Sequence, residues 1–398
     1  AASKDSYLNI PNIVAAARNT GADAVHPGYG FLSEMASFAE ICNAIGVKFI
    51  GPPVAAIEQM GDKATARETA LAAGVPTVPG SDGLLTSDED ARRIAGAIGY
   101  PVVVKATAGG GGRGIRVAWS EEELLKGLKV AQAEAEAAFG NAGVYLEKYI
   151  TDMRHIEVQI LADEHGNVIH LGERECTVQT VRHQKVVEEA PSVSLTPEQR
   201  FAMGDAAVRA AKAVGYTNAG TVEFIYTPNG EFYFMEMNTR IQVEHPVTEA
   251  VTGIDLVKWQ IRIAAGETLT IAQDEVSWNG HSIECRVTAQ NPSKGFAPSA
   301  GKMASFIMPG GLGIRVDSQC YCGYTVPPYY DSNLAKLIVW APTREEAIIR
   351  MECALSEVTV EGLPTNVSFL KTILEDDRYR TNAISTKFLP TLMDELGL

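Results

Sequence analysis

Two acidic residues on neighbouring strands of a predicted hairpin are the strongest candidates for chemistry. Glu223 and Glu236 each lie in an apolar run, and a Pro-Asn-Gly turn joins the two runs. If Tyr226 pairs with Glu231, Glu223 and Glu236 become diagonal neighbours on one face. Two desolvated carboxylates repel each other unless a cation lies between them. With Asn238 on the same face, this pattern favours a Mg²⁺ site over an acidic face open to water.

Three more polar residues follow the hairpin at two-residue spacing. Arg240 offers a fork of donors that suits a planar oxyanion. Gln242 can bind the same small anion, and Glu244 is a candidate general base. The alternative is an ordinary salt-bridged loop, but the regular spacing favours an anion site beside the metal.

A glycine-rich stretch contains a literal GxGxxG from Gly109 to Gly114. A dinucleotide site requires a helix directly after this motif, whereas the residues from Ile115 predict a strand. No Gly-Lys-Ser/Thr closes the stretch, so it is not a Walker loop either. We therefore predict a hairpin flap that closes over phosphates, with an unliganded surface hairpin as the alternative. Lys105, which ends the preceding apolar run, either reaches a phosphate or extends into solvent.

The remaining candidate groups carry weaker signals. His183 and Lys185 are expected to share one strand face, and the isolated His155 and His245 are more typical of structural histidines. The six cysteines show no metal-ligand spacing and predict reduced, buried thiols in a reducing compartment. A net charge of −15 argues against nucleic acid as a partner. No long apolar run or signal peptide is evident, so we expect a cytoplasmic protein without a membrane span.

The elements that position these residues change in character along the chain. Residues 1–50 predict βα units of a parallel sheet, with a helix at Ile10–Asn19 and strands at Ala22–Val25 and Val47–Ile50. From Arg154 onward, alternating runs predict an antiparallel sheet. Helices are expected at 197–214 and 344–356. The fold class is therefore α/β combined with α+β.

Several motifs together resemble biotin carboxylase, the ATP-grasp component of biotin-dependent carboxylases. They span essentially the whole chain and comprise the glycine flap and the segments His26–Glu34, Met60–Lys63, Arg182–Glu189, Phe234–Glu249 and Tyr324–Ser332. The resemblance implies an ATP-grasp fold. Its parts would be an incomplete N-terminal α/β domain at 1–50, a helical connector at 51–78, a lid with the glycine flap at 79–149, and the catalytic core with the C-terminal antiparallel-sheet domain at 150–398.

The resemblance also implies roles for individual residues. Those expected to bind ATP are Lys63, Lys105, Gly111, Gly112, Glu147, Ile150, His155, Gln179, His183 and Ile225. Glu223, Glu236 and the nearby Asn238 would hold Mg²⁺ or Mn²⁺, and bicarbonate would lie against Lys185, Arg240, Gln242 and Val243. Glu244 would deprotonate bicarbonate. Arg315 would stabilise the biotin enolate, and Tyr29 would lie near the biotin.

The implied reaction forms carboxyphosphate from ATP and bicarbonate and then transfers its carbon to biotin. The implied partners are a biotin carboxyl carrier protein, carboxyltransferase subunits and a second copy of the chain in a homodimer. An acetyl-CoA carboxylase is the expected assembly. The alternatives are another ATP-grasp ligase of the carbamoyl-phosphate type and a catalytically impaired chain that only binds nucleotide.

Three departures from the family pattern bear on these expectations. The opening βα segment with its Asn-Arg-Gly-Glu signature is absent, so we expect the first domain to be incomplete. The stretch from Gln179 to His183 is one residue longer than the usual pattern and has one arginine fewer. Ala108 replaces a flap glycine, which is tolerable if its φ is negative.

Overall fold

The computed structural model describes residues 1–106, 115–139 and 143–398. The predicted flap, with Gly111, Gly112 and Ala108, lies outside the described residues. The helices are α1 (Ile10–Thr20), α2 (Ala36–Ala44), α3 (Val54–Gly61), α4 (Lys63–Ala72), α5 (Asp88–Ile98), α6 (Glu121–Phe139), α7 (Pro197–Ala213), α8 (His245–Thr252), α9 (Leu256–Ala264), α10 (Arg344–Glu357), α11 (Val367–Glu375), α12 (Asp377–Arg380) and α13 (Phe388–Glu395).

The strands form one large sheet and several small ones. They are β1 (Ala24–Val25), β2 (Lys48–Phe49), β3 (Val102–Ala106), β4 (Ile115–Ala118), β5 (Val144–Lys148), β6 (Arg154–Ala162), β7 (Val168–Gln179), β8 (Lys185–Ala190), β9 (Asn218–Tyr226), β10 (Phe232–Asn238), β11 (His281–Thr288), β12 (Gln290–Asn291), β13 (Ala297–Pro298), β14 (Gly301–Lys302), β15 (Ser305–Ile307), β16 (Ile314–Asp317), β17 (Thr325–Val326), β18 (Asn333–Ala341) and β19 (Thr359–Glu361).

The N-terminal part has the predicted parallel α/β character. Strands β1 and β2 pair in parallel, and α1 begins where the side chain of Asn9 accepts a hydrogen bond from the Asn12 amide. The helix ends at Gly21, whose φ of +65° is the left-handed conformation that glycine adopts without strain. Phe38 and Phe49 pack edge to face in the small core between α2 and β2.

A three-stranded antiparallel sheet forms the lid, in the order β4-β3-β5. Its apolar face packs against α5 and α6 through Leu124, Leu128 and Leu146. Strand β4 pairs with β3 directly after the glycine-rich stretch, so the predicted strand–loop–strand arrangement is confirmed for its two described arms. The described residues directly after this stretch form strand β4, where the dinucleotide fingerprint requires a helix, so that fingerprint is excluded.

The eight-stranded sheet is antiparallel throughout, in the order β10-β9-β6-β7-β8-β11-β18-β16. The alanine-rich face of α7 packs against β6 and β7, and its Thr196–Gln199 capping box fixes its first turn. On the C-terminal half, α10 and α11 cover β11 and β18 around Leu337, Met351 and Leu370. The predicted antiparallel sheet is confirmed.

The register of the β9–β10 hairpin differs from the prediction. Tyr226 pairs with Phe232 rather than with Glu231. If this register continued unchanged along the hairpin, Glu236 would lie opposite a neighbour of Glu223. An irregularity at Met235 shifts the register by one, so Glu236 pairs directly with Glu223. The two acids are therefore opposite each other and not diagonal, which brings their side chains closer than predicted.

Two smaller predictions are wrong. His183 does not lie on a strand: it occupies the turn between β7 and β8 with φ of +60°, while Lys185 begins β8. The cysteines are all free, as predicted, but Cys322 and Cys353 are exposed and only Cys42, Cys176 and Cys285 are buried.

Candidate active site

A cavity of about 650 Å³ lies between α4, the lid sheet and the eight-stranded sheet. The lid contributes Lys105, Tyr145 and Glu147, and α4 contributes Lys63 and Arg67. Most of the predicted site residues line this one cavity: Tyr29, Lys63, Lys105, Glu147, His155, Gln179, His183, Lys185, Glu223, Ile225, Glu236, Asn238, Arg240, Gln242, Val243 and Glu244. The cavity volume falls within the range of small-molecule and cofactor sites.

The paired acids differ in their surroundings. Glu223 is buried, and its carboxylate accepts hydrogen bonds from Asn238 at 2.9 Å, Gln242 at 3.1 Å and Lys185 at 3.2 Å. Burial alone would raise the pKa of Glu223, but Lys185 and His155 hold the pKa below its ordinary value. Glu236 opens to the cavity, and among the described cations the Lys63 ammonium approaches it, at 3.4 Å. Two carboxylates that line one cavity, with the amide oxygen of Asn238 beside them, form an oxygen-only set that fits Mg²⁺ carried in with a nucleotide.

A second acidic cluster nearby does not fit a metal. Ligand atoms of His155, Glu157 and Glu223 lie within 4.8 Å of one another. However, Lys185 approaches Glu157 at 2.6 Å and Arg174 approaches it at 2.5 Å. These cations already neutralise the cluster, so the pair of Glu223 and Glu236 is the better metal site.

The anion cradle forms around the segment after β10. The Arg240 guanidinium donates to Glu34 and Gln242, each at 2.9 Å, and to Asn238 at 3.2 Å. Lys185 reaches into the same region from β8. These bonds fix the fork of Arg240 beside the acidic pair, where a small planar anion meets charged and amide donors together.

Glu244 is fully buried at the base of the cradle. Its carboxylate accepts from Lys185 at 2.6 Å and from Arg286 at 2.9 Å. Burial would raise the pKa of Glu244, but Lys185, Arg286 and Arg174 together hold it well below its ordinary value. The carboxylate is therefore ionised at neutral pH, in the form that a general base requires.

Arg286 is the main functional residue that the sequence prediction missed. It lies on β11, lines the cavity, and donates to Glu188 at 2.6 Å as well as to Glu244. The available signal was a charged pair, Glu284 and Arg286, that alternates with the apolar residues Ile283, Cys285 and Val287. Such residues are almost never fully buried without partners, so the strand itself indicated a polar site.

The structure does not bring two predicted residues into the cavity. Arg315 is half-exposed and lines a separate shallow pocket, where it pairs with Asp317 at 2.8 Å and Glu249 at 2.6 Å. Ile150 lines a neighbouring pocket with Lys148. Gly111 and Gly112 lie outside the described residues. Arg286 therefore lines the cavity together with Arg67 and Arg240, whereas Arg315 does not.

The extra residue between β7 and β8 is accommodated in the turn. Thr180 closes it by accepting from the His183 amide at 2.8 Å and by donating to the Gln184 carbonyl at 2.9 Å. Gln179 still pairs with Lys185 across the strands. Both Gln179 and His183 therefore still line the cavity in spite of the longer loop.

Family models match three consecutive parts of the chain. Residues 1–57 match the biotin carboxylase N-terminal domain, 62–272 match the ATP-binding domain described for the carbamoyl-phosphate synthase L chain, and 284–391 match the biotin carboxylase C-terminal domain. The chain is 59% identical to biotin carboxylase 1 of Bacillus subtilis, over 98% of this chain and 87% of that protein. The chain belongs to the biotin carboxylase family. It is thus an ATP-grasp ligase, as predicted.

Other family members act in different assemblies. The 2-oxoglutarate carboxylase small subunit of Hydrogenobacter thermophilus is 55% identical over 97% of this chain and 81% of that protein. A crystal structure of its biotin carboxylase domain dimer, with MgADP and bicarbonate, has a TM-score of 0.88 at 54% identity, covering 97% of this chain and 85% of that one. A crystal structure of the Campylobacter jejuni biotin carboxylase has a TM-score of 0.90 at 49% identity, and the match covers 98% of this chain and 86% of that one. Within the described residues, no helix is both long and apolar enough to span a bilayer.

Proposed function

We propose that this chain carboxylates biotin with bicarbonate at the expense of ATP, as the first half-reaction of a biotin-dependent carboxylase. The observation that carries the proposal is the shared cavity. The acid pair Glu223 and Glu236, the fork of donors on Arg240 and the buried carboxylate of Glu244 lie within one site. No simple nucleotide-binding role requires a base and an anion cradle beside the metal site.

The residues divide into a nucleotide part and a one-carbon part. Lys63, Lys105, Glu147, His155, Gln179, His183 and Ile225, with Ile150 and the flap residues Gly111 and Gly112, are proposed to bind ATP. Mg²⁺ held by Glu223 and Glu236, with Asn238 nearby, would supply charge neutralisation between the phosphates. Lys185, Arg240, Gln242 and Val243 are proposed to orient bicarbonate, so that its oxygen faces the terminal phosphorus.

Proton movement follows from the cradle. Glu244 takes the proton of bicarbonate, and Lys185 at 2.6 Å holds the carboxylate in place. The deprotonated bicarbonate then attacks the terminal phosphorus of ATP, the bond from this phosphorus to ADP breaks, and carboxyphosphate forms as ADP leaves. Carboxyphosphate decomposes to CO₂ and phosphate, and this phosphate takes the ureido proton of biotin. Biotin then attacks CO₂. We assign stabilisation of its enolate to Arg286, which projects into the cavity, and we place biotin near Tyr29.

The finer assignments remain proposals. Relatives include biotin carboxylases as well as subunits of 2-oxoglutarate and pyruvate carboxylases, so the acceptor is not set by the family. We propose an acetyl-CoA carboxylase working in the cytoplasm, with the chain as a homodimer that serves a biotin carboxyl carrier protein and carboxyltransferase subunits. The division at residues 50, 78 and 149 is likewise proposed.

Steady-state ADP release tests the proposal against a chain that only binds nucleotide. With MgATP, we expect release to depend on bicarbonate and to rise when free biotin is added. A Glu244→Gln variant should bind nucleotide normally but lose the bicarbonate-dependent rate. Tight nucleotide binding without any bicarbonate or biotin effect would favour the non-catalytic alternative.

A further inference from the structure

A second pair of carboxylates lies behind the cavity, on strands β8 and β11. Glu188 and Glu284 are cross-strand partners in the antiparallel ladder, and both are fully buried. Directly opposed residues of this kind have Cβ atoms about 4.5–5.5 Å apart. Neither oxygen of Glu284 has a hydrogen-bond partner, and Oε2 of Glu188 also lacks one. Unpartnered buried carboxylate oxygens are costly, so this pair requires an explanation.

The charge balance among the buried charged groups around this pair, which form one buried layer, supplies an explanation. The charged groups in this layer are the carboxylates Glu157, Glu188, Glu223, Glu244 and Glu284 and the cations Arg174, Lys185, Arg286 and Lys336. The carboxylates outnumber the cations. Every other member of the set has an ion-pair partner within 4 Å, which for Lys336 is Asp317 outside the set, whereas Glu284 has none among the described residues. The excess negative charge is therefore concentrated on Glu284.

We propose that Glu284 is a neutral carboxylic acid that donates its proton to Glu188, and that this acid pair positions Arg286 against Glu244. One hydrogen bond then gives a partner to one oxygen of Glu284 and to the free oxygen of Glu188. Glu188 is then the only anion of the pair. It accepts a hydrogen bond from the Arg286 guanidinium at 2.6 Å, and the same guanidinium donates to Glu244 at 2.9 Å. The role of Arg286 rests on the proposed function, but the protonation of Glu284 does not.

The environment supports this assignment. Burial raises the pKa of Glu284 well above its ordinary value, and the neighbouring Glu188 raises it further. Burial likewise raises the pKa of Glu188 to about 7, in spite of Arg286. The titratable and charged groups that face the pair from the surrounding elements are Tyr29, Cys176, Lys185, Glu244, Arg286 and Lys336. Among these, Lys336 is directed to the Val243 carbonyl and Asp317, not to Glu284.

The pair has a mechanical consequence for the cradle. If Glu284 ionised, two adjacent negative charges would draw the Arg286 guanidinium toward β8 and away from Glu244. The proton on Glu284 prevents this shift, so the guanidinium stays hydrogen-bonded to both Glu188 and Glu244. Glu284 is thus a positioning residue that acts through Glu188 and Arg286, and it touches no substrate.

Infrared spectroscopy of the full chain tests the proton directly. A buried carboxylic acid gives a C=O stretching band that ionised carboxylates lack. We expect this band in the unmodified protein at pH values above about 7, where Glu188 is ionised, and its loss there in Glu284→Gln. Glu189→Gln is the matched control, because Glu189 is equally buried but is bonded to His281 at 2.7 Å and to Arg344 at 2.7 and 2.9 Å. A missing band in the unmodified protein, or a band that survives in Glu284→Gln, would overturn the proposal.

Thermal unfolding gives a second readout that does not depend on activity. A carboxyl whose pKa is higher in the folded chain contributes stability below its unfolded pKa, near 4.5, and this stability is lost as pH rises. Glutamine has no such titration. We therefore expect the Tm of Glu284→Gln minus the Tm of the unmodified protein to increase as pH rises from about 5 to about 8. A difference that does not change with pH would contradict a neutral Glu284.

Activity separates positioning from packing. The amide of Glu284→Gln still donates to Glu188, so we expect it to keep the carboxybiotin rate and its pH profile. Glu284→Leu cannot donate, and we expect kcat to fall while the KM for ATP stays unchanged. If the glutamine variant loses the rate as the leucine variant does, the hydrogen bond is not what positions Arg286. If neither variant nor the unmodified protein carboxylates biotin, the proposed function fails while the infrared result still stands.

Discussion

Replacing Arg286 with glutamine removes the guanidinium that joins Glu244, the proposed base, to Glu188. Removing one partner from a buried ion pair costs about 3–5 kcal/mol of stability, because the remaining charge stays uncompensated. Loss of one preorganised donor to a developing oxyanion lowers kcat by about 10²–10³-fold. Glu188 and Glu244, the two carboxylates that Arg286 joins, are fully buried, so solvent offers little compensation for the lost guanidinium. We therefore expect Arg286→Gln to be folded but destabilised, with carboxybiotin formation reduced by about two to three orders of magnitude.

The assay measures transfer of labelled bicarbonate to free biotin at saturating MgATP. Arg315→Ala is the matched control, since Arg315 is half-exposed and its ion pairs lie outside the cavity. Exposed pairs are worth about 1 kcal/mol or less, so this variant should keep its rate within about fivefold. Near-normal carboxybiotin formation by Arg286→Gln, together with an inactive Arg315→Ala, would refute our reasoning and restore the role that the sequence resemblance gave to Arg315.

Three further predictions concern the metal site and stability. Glu236→Gln should lose turnover with MgATP at all Mg²⁺ concentrations in an ADP-release assay; normal turnover would exclude Glu236 as a ligand. Arg344→Ala should lower the free energy of unfolding in urea by about 3–5 kcal/mol, since it leaves Glu189 buried with only His281; a loss below about 1 kcal/mol would contradict this. Burial and then Lys336 lower the pKa of His245 to about 3. The free energy of unfolding should therefore fall as pH drops below about 6.5, and it should fall less in His245→Gln. Parallel curves of unfolding free energy against pH for the two proteins would contradict this prediction.

Much of the site followed from local spacing in the sequence. Glu236, Asn238, Arg240, Gln242 and Glu244 all line the cavity. Strand alternation accounts for Glu236 and Asn238 at the end of β10, whereas Arg240, Gln242 and Glu244 lie in the irregular segment between β10 and α8. The placement of the first helix, the lid strands and the antiparallel sheet likewise depended on periodicity and turn residues that act over short distances.

The parts that the sequence did not reveal depend on long-range packing. The irregularity at Met235 leaves no composition signal, yet it decides that Glu223 and Glu236 are opposed and not diagonal. Arg286 enters the site because β11 pairs with β8, and this pairing joins segments far apart in the sequence. Arg315 is also on a strand of the same sheet, but β16 is at its edge, away from the cavity.

A crystal structure with a manganese nucleotide and bicarbonate tests the central claim most directly. Mn²⁺ replaces Mg²⁺ at oxygen sites and can be located by its anomalous scattering. We expect the anomalous peak between the carboxylates of Glu223 and Glu236, with bicarbonate against Arg240 and Lys185 and within hydrogen-bond distance of Glu244. A metal bound elsewhere, or a bicarbonate out of reach of Glu244, would contradict the account.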